Sequence, residues 1–327
     1  MYDTVYNKRE IYMKLSLIVP CFNEEENIKN FFDETEKIFH QKGFGYEFVF
    51  VDDGSSDNTL LNLKQLYSAE SADIQILSFS RNFGKEAAIY AGLQCANGDW
   101  VCIIDADLQQ RPEVVLQMLE VIDADSSIDC VAAYQENRNE SKFIASVKSA
   151  FYKIINITSD IDFVNGASDF RLMNKKVVNA ILSIGEYHRF SKGIFSFVGF
   201  NTKYIPYTAE PRKNGESKWG FKKLLKYAFE GIISFTTLPL KLSTYVGFLS
   251  SAASVLYLIT VVIQKLFFKI NVPGWATIVV LALFLGGIEL FSLGIIGEYI
   301  SRIYLQVKNR PIFILKEHLQ SDKNQVR

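Results

Sequence analysis

The sequence predicts an α/β protein: a mostly parallel sheet with helices between its strands, followed by two helices that cross a membrane. Three observations predict this. Short apolar runs alternate with helix-like stretches over residues 15–107. Two of those runs end in acids, Asp52-Asp53 and Asp105-Ala106-Asp107. From residue 242 to residue 300 the chain is almost wholly apolar.

Leu15–Val19 reads as the first strand, ending at Pro20. Asn23-Glu24-Glu25-Glu26-Asn27 opens a helix, with Asn23 as N-cap and acids at the positive helix end. Phe48–Val51 is the second strand; the turn Asp52-Asp53-Gly54-Ser55-Ser56-Asp57 leads to a helix from about Asn58 to Ser68. Ile74–Phe79, a helix over Lys85–Cys95 and a strand at Val101–Ile104 complete a βαβαβ pattern, the mark of a parallel sheet covered by helices. Pro112 starts a helix running to about Ala124. Cys130–Ala133, Asp169–Met173 and Gly199–Ile205 are further strands, and 142–157 a further helix after a polar loop.

The 327 residues carry a formal net charge of −1, which gives no reason to expect nucleic-acid binding. Cys21, Cys95, Cys102 and Cys130 have no CxxC spacing and read as small core residues in a reducing compartment. His40, His188 and His318 are scattered and form no zinc-type cluster. Residues 1–14 are polar and charged, an N-terminal extension without the apolar segment of a signal peptide.

Residues 216–241 form a basic amphipathic stretch, Lys218, Lys222, Lys223 and Lys226 alternating with Trp219, Phe221, Leu224 and Leu225, suited to a membrane interface. Leu242–Ile263 has no formal charge over 22 residues. As a helix it spans roughly 33 Å, enough for a bilayer core. Val272–Ile296 is a second span, broken by Glu289. An acid in a span is neutral, paired or functional. Lysines before the first span, and Arg302, Lys308, Arg310 and Lys316 after the second, put both flanks in the cytoplasm by the positive-inside rule. The expected organisation is an extension (1–14), a catalytic domain (15–215), an interface segment (216–241), a two-helix hairpin (242–300) and a cytoplasmic tail (301–327).

Ligands of open α/β sheets bind at the carboxyl ends of the strands. Asp105 and Asp107 stand there, one residue apart, with the Gln109 amide two further on; this set converges on a hard cation, Mg²⁺ or Mn²⁺. With the Asp52-Asp53 strand end it fits a nucleotide held through its base or ribose and through a metal-bridged diphosphate. The metal neutralises charge growing on a diphosphate leaving group. Arg81 and Lys85, and the loop Pro211-Arg212-Lys213-Asn214-Gly215-Glu216-Ser217-Lys218, supply cations that assist. Two spans beside such a site point to a lipid phosphate acceptor, for which Arg138, Arg189 and Lys192 are cationic candidates.

Pro20-Cys21-Phe22-Asn23-Glu24-Glu25, Val51-Asp52-Asp53-Gly54-Ser55-Ser56-Asp57, Arg81-Asn82-Phe83-Gly84-Lys85, Asp105-Ala106-Asp107-Leu108-Gln109, Asp169-Phe170-Arg171-Leu172 and Gly297-Glu298-Tyr299-Ile300 occur in this order. The chain thereby resembles family 2 glycosyltransferases of the polyprenyl-phosphate group, dolichol-phosphate mannose synthases and bactoprenol glucosyltransferases, from about Leu15 to Pro311. The ending looks most like the bactoprenol glucosyltransferases.

The resemblance implies a GT-A, Rossmann-like fold and an inverting displacement at the sugar's anomeric carbon. It implies nucleoside contacts from Pro20, Phe22, Glu24 and Asp52, and metal and diphosphate contacts from Asp105, Asp107 and Gln109. Arg212, and with it Lys218 of the same loop, is expected on the diphosphate; Arg138 and Arg189 are expected on the acceptor phosphate. It further implies a homo-tetramer in the inner membrane, multi-pass, with both termini cytoplasmic, and a downstream flippase and second glycosyltransferase. The expected reaction moves a hexose, glucose from UDP-glucose, onto undecaprenyl phosphate for O-antigen or other cell-surface glycan modification. The alternatives are GDP-mannose, a UDP-N-acetylhexosamine or a UDP-amino-arabinose derivative as donor, or a catalytically idle membrane scaffold. The chain departs from the family pattern at Gln135, at Ser191-Lys192-Gly193, at Gln110-Arg111 and at Glu289.

Overall fold

The computed structural model describes residues 14–40, 42–69, 72–136, 146, 149, 152–153, 155–159, 164, 166–210, 230–267 and 274–320. Four parallel strands form the centre: β1 (Lys14–Cys21), β2 (Gly45–Asp52), β3 (Asp73–Phe79) and β4 (Trp100–Ile103). β5 (Cys130–Gln135), β6 (Ala167–Asn174), β7 (Thr202–Tyr207) and β8 (Leu315–Gln320) extend the sheet. The spatial order is β7-β5-β6-β4-β1-β2-β3-β8. β6 runs antiparallel to both β4 and β5, and β8 runs antiparallel to β3.

Side chains of the central strands alternate between two cores. Leu15, Leu17, Val19, Phe48 and Phe50 point to one face, where they meet α1 (Ile28–His40), α2 (Thr59–Ser68) and α4 (Pro112–Ala124). The helical spacing of Ile28, Phe31, Phe32, Thr35 and Phe39 puts these five on the buried side of α1. Ile18, Val49, Val51 and Ile103 point to the other face. There they pack on α3 (Lys85–Cys95), α5 (Lys175–Ser183) and α6 (Ser191–Phe197). The result is a helix–sheet–helix sandwich with every central strand covered.

At the amino ends of the strands, away from the acidic strand ends, Glu47 is fully buried. It is satisfied by Lys14 Nζ at 2.8 Å, Asn97 N–H at 2.7 Å and the Ser16 hydroxyl at 2.5 Å. Burial would raise its carboxyl; these donors hold it below the usual carboxylate range.

Two long helices follow a helical turn at 230–235: α7 (Leu238–Phe267) and α8 (Trp275–Val307). They contain apolar stretches of 27 and 31 residues that are 0% buried, long and apolar enough to cross a membrane. α7 begins four residues before the expected span, and α8 runs on eleven residues beyond Ile296. That extension ties the helix to the segment before α7, where Tyr299 donates its hydroxyl to Thr236 O at 2.9 Å and Arg302 Nη1 donates to Ser234 Oγ at 2.7 Å, and to the α/β body, where Gln306 Nε2 donates to Gly185 O at 2.9 Å. The spacing of Tyr299, Arg302 and Gln306 puts them on one side of α8. Residues 301–327 were expected as a tail, yet 315–320 of that stretch form β8 at the sheet edge.

Candidate active site

The loops at the carboxyl ends of β1, β2, β3 and β4, with the start of β6, converge on one region. After β1, Asn23 adopts φ 54°, one of the few non-glycine residues that tolerate it. Its N–H donates to Ser55 Oγ at 3.0 Å, and its Oδ1 accepts Ser56 N–H at 2.9 Å. Glu24 N–H donates to Thr59 Oγ1 at 2.8 Å and Glu25 accepts Asn58 N–H at 2.9 Å. Asn23 and the acids after it therefore join the β1 and β2 loops, and α1 starts only at Ile28, later than the N-cap reading of Asn23 expects. Phe22 is 37% exposed on this surface.

The two adjacent acids after β2 divide the work. Asp52, 1% exposed, accepts Ser55 N–H at 3.0 Å and the Ser78 hydroxyl at 2.8 Å. Each of its oxygens keeps a lone pair beyond that bond. Asp53, 3% exposed, accepts Phe83 N–H at 2.6 Å and Gly84 N–H at 2.9 Å and so holds the Arg81–Lys85 loop. Burial pushes its carboxyl up from 3.8 to about 6, against the pull of those N–H groups. Gly54 sits between these loops at φ +65°, and a Cβ there would lie 2.4 Å from the Arg81 carbonyl carbon.

That loop aims its two cations differently. Arg81 lies over the Phe83 ring at 4.0 Å and donates to Asn82 O, so its guanidinium stays on its own loop. Lys85 reaches into the site: its Nζ is 2.6 Å from Asp105 Oδ1 and 3.6 Å from Asp169 Oδ2. Burial would lower the Lys85 ammonium; the two carboxylates outweigh it and raise it. Burial likewise opposes ionisation of Asp169, and Lys85, then Lys192 and Arg171, outweigh it and hold it low. Asp169 Oδ1 is buried without a hydrogen-bond partner among the described residues.

Gln110 fixes Asp105 from behind, its Oε1 accepting Asp105 N–H at 3.0 Å and its Nε2 donating to Asp105 Oδ2 at 3.2 Å. Leu108 takes φ 57°, and Gln109 N–H donates to Asp107 Oδ1 at 3.1 Å, closing a tight turn. Gln109 O accepts Glu210 N–H at 3.2 Å, its Nε2 donates to Glu210 O at 3.4 Å, and Arg111 pairs with the Glu210 carboxylate at 3.2 Å. The residue before Pro211 is thereby zipped to the acidic turn. Among the described residues no three His, Cys, Asp or Glu side chains gather as a closed metal cage. Two carboxylates on one turn fit a cation that completes its shell with phosphate oxygens and water, the habit of Mg²⁺ and Mn²⁺.

Arg189, expected on an acceptor phosphate, donates to Ile184 O at 2.5 Å and Ile181 O at 3.3 Å and lies over the Tyr90 ring at 4.3 Å. Its guanidinium holds the end of α5 against α3. Arg138, Arg212 and Lys218 lie outside the described residues. Sequence reasoning missed Asp53, Gln110 and the half-buried Asp169 as parts that position the site. The signal for Gln110 was present as a departure from the family pattern.

Residues 16–182 match the family described as Glycosyl transferase family 2, and residues 238–303 match the GtrB C-terminal hairpin. A putative glycosyltransferase CsbB of Bacillus subtilis is 42% identical over 93% of this chain and 91% of its own length. A bactoprenol glucosyl transferase of Shigella phage SfII is 40% identical over 93% of this chain and 98% of its own. The crystal structure of mannosyl-3-phosphoglycerate synthase from Rubrobacter xylanophilus superimposes with a TM-score of 0.49 at 15% identity, covering 69% of this chain and 73% of the other.

Proposed function

The chain belongs to glycosyl transferase family 2, and on that premise we propose that it moves glucose from UDP-glucose to the phosphate of undecaprenol at the cytoplasmic face of the membrane. One observation carries the reading. The Asp105–Lys85 site sits on a domain bound through Tyr187 and Gly185 to Gln306 of a helix long enough to cross a bilayer. An acceptor that stays in the bilayer requires that arrangement; a soluble sugar does not. The relatives named bactoprenol glucosyl transferase support it, because the likeness runs through both the catalytic domain and the hairpin.

In this reading Pro20, Phe22, Glu24 and Asp52 hold the nucleoside in the cleft between the β1 and β2 loops. Asp105, Asp107 and Gln109 hold Mg²⁺ or Mn²⁺, which as a Lewis acid supplies charge neutralisation to the diphosphate. Lys85 steadies Asp105 and adds a fixed positive charge beside the leaving group. Arg212 and Lys218, from the basic stretch that follows Glu210 in the sequence, take the diphosphate. Arg138 and Lys192 take the acceptor phosphate, while Arg189 holds the end of α5 against α3.

The acceptor phosphate is already an anion near neutral pH, with a second pKa of about 6, so the site requires positioning more than deprotonation. One phosphate oxygen attacks the anomeric carbon. The bond from that carbon to the UDP oxygen breaks with its electrons, and the configuration inverts. We place both termini in the cytoplasm, with Gln264–Asn271 outside, and the chain as a homo-tetramer. A flippase and a second glycosyltransferase then use the product.

The test is sugar transfer in membranes containing the protein, given undecaprenyl phosphate, Mg²⁺ or Mn²⁺ and a panel of radiolabelled nucleotide sugars, with Asp107→Asn as control. The expected result is a chloroform-soluble product from UDP-glucose alone, lost in the control and on chelation. A product from another donor corrects the sugar; none from any donor sinks the lipid-phosphate acceptor.

A further inference from the structure

Glu86 follows Lys85 in the first turn of α3 and plays no part in the reaction as drawn. Its Oε2 accepts the N–H of Ser191 at 2.9 Å and also the Ser191 hydroxyl. Ser191 is buried, 105 residues away in the chain, at the start of α6. The next residue, Lys192, lies close enough to Asp169 for its charge to favour the ionised carboxylate. Asp169 in turn shares Lys85 with Asp105.

The segment leading into Ser191 is pinned at its other end. Gln306 of α8 accepts Tyr187 N–H at 2.8 Å and donates to Gly185 O at 2.9 Å. Residues 185–192 thus form a bridge from the base of the membrane helix to the donor-side helix α3, meeting it at Tyr90 through Arg189 and at Glu86 through Ser191. A carboxylate with two donors from one residue fixes that residue in place and in direction.

We propose that Glu86 is a positioning residue: by holding Ser191 it sets Lys192, and with it the acceptor phosphate, against the donor site. This rests on the proposed reaction. It assigns Glu86 to acceptor binding and to no step at the anomeric carbon.

The experiment measures KM for polyprenyl phosphate and for the nucleotide sugar, with kcat, in membranes containing wild type, Glu86→Ala, Glu86→Gln, Ser191→Ala and the double alanine variant. Loss of the contact in Glu86→Ala raises the lipid KM about 10-fold and leaves the donor KM within about twofold. Glu86→Gln keeps an oxygen that accepts both donors and stays near wild type. Ser191→Ala, which keeps its N–H, raises the lipid KM by about threefold, and the double variant is no worse than Glu86→Ala because both act through one contact. Equal changes in both KM values, no change in either, or additive effects in the double variant overturn the proposal. If Glu86→Ala fails to accumulate, the Glu86→Gln and Ser191→Ala pair decides it by the same lipid-against-donor split. A wild type that makes no lipid product with any donor indicts the reaction itself and removes this proposal with it. An active wild type with an unmoved lipid KM in the variants indicts Glu86 alone.

Discussion

Lys85 Nζ stands 2.6 Å from Asp105 Oδ1 and 3.6 Å from Asp169 Oδ2, so a single ammonium joins the carboxyl end of β4 to the start of β6. Without it two carboxylates would face each other at the entrance to the acidic turn. Lys85→Met keeps the bulk and removes the charge. Transfer should fall about 100-fold, as for loss of one preorganised charge at a leaving group. Lys85→Arg, with the charge but a larger planar head, should recover only part of it. A Met variant with more than half of wild-type activity would show that the ammonium is not part of the site.

Gly193 makes room for the Phe235 ring. A Cβ at 193 would lie 2.2 Å from Phe235 Cε2, closer than any relaxed contact. Phe235 also packs on Phe190 with ring centroids 5.8 Å apart, so this contact holds the 230–235 turn to α6. Gly193→Ala should cost about 1–3 kcal/mol of stability by overpacking, read as a lower thermal midpoint in detergent. Adding Phe235→Leu should return part of that loss. A Gly193→Ala midpoint equal to wild type would mean that the turn is free to move away.

The central βαβαβ unit was legible because each strand there is covered on both faces, which makes it a continuous apolar run, and because acids mark where such strands stop. β8 was not. Leu315-Lys316-Glu317-His318-Leu319-Gln320 lies at an edge with most of its side chains toward solvent, so its sequence is polar and pairing alone defines it. The acidic turn at Asp105 and Asp107 was visible as spacing. The partners around it were not: Gln110, five residues from Asp105, showed only as a departure from the family pattern, and Asp169 reaches Lys85 by a tertiary contact that leaves no local pattern. The bonds of Arg189 to Ile181 and Ile184 were not legible either, because a cation before a short helix looks alike whether it meets a phosphate or those carbonyls.

β8 makes its own prediction. Its residues cover the outer edge of β3, Phe313 stacks on Phe79 at 4.9 Å, Tyr67 donates to Gln320 O at 2.9 Å, and Glu317 pairs with Lys64. A stop after Asn309 uncovers Phe79 and a row of unpaired backbone groups on β3. That truncation should lower the amount of protein recovered from membranes and its thermal midpoint, whereas a stop after Gln320 should leave both unchanged. Equal recovery of the two truncations would mean that the sheet stands without its eighth strand.

The pH response of the fold should carry the signature of Asp53. Its carboxyl titrates near 3.8 in an unfolded chain and at about 6 here, raised first by burial and then by the charge of Asp52. Between those values the folded protein holds a proton that the unfolded chain has released. The stability from this group is therefore fully present below the lower value and is lost as pH rises through the upper one. Asp53→Asn cannot titrate, and its amide still offers one oxygen to Phe83 and Gly84. The offset between wild type and variant also includes the lost second oxygen, so only its change with pH is diagnostic. Measured as thermal midpoints in detergent, wild type minus variant should fall as pH goes from about 4.5 to about 7 and stay level above that. A difference that is flat across this range, or that grows, would mean that Asp53 holds the Arg81–Lys85 loop as an ordinary ionised carboxylate throughout.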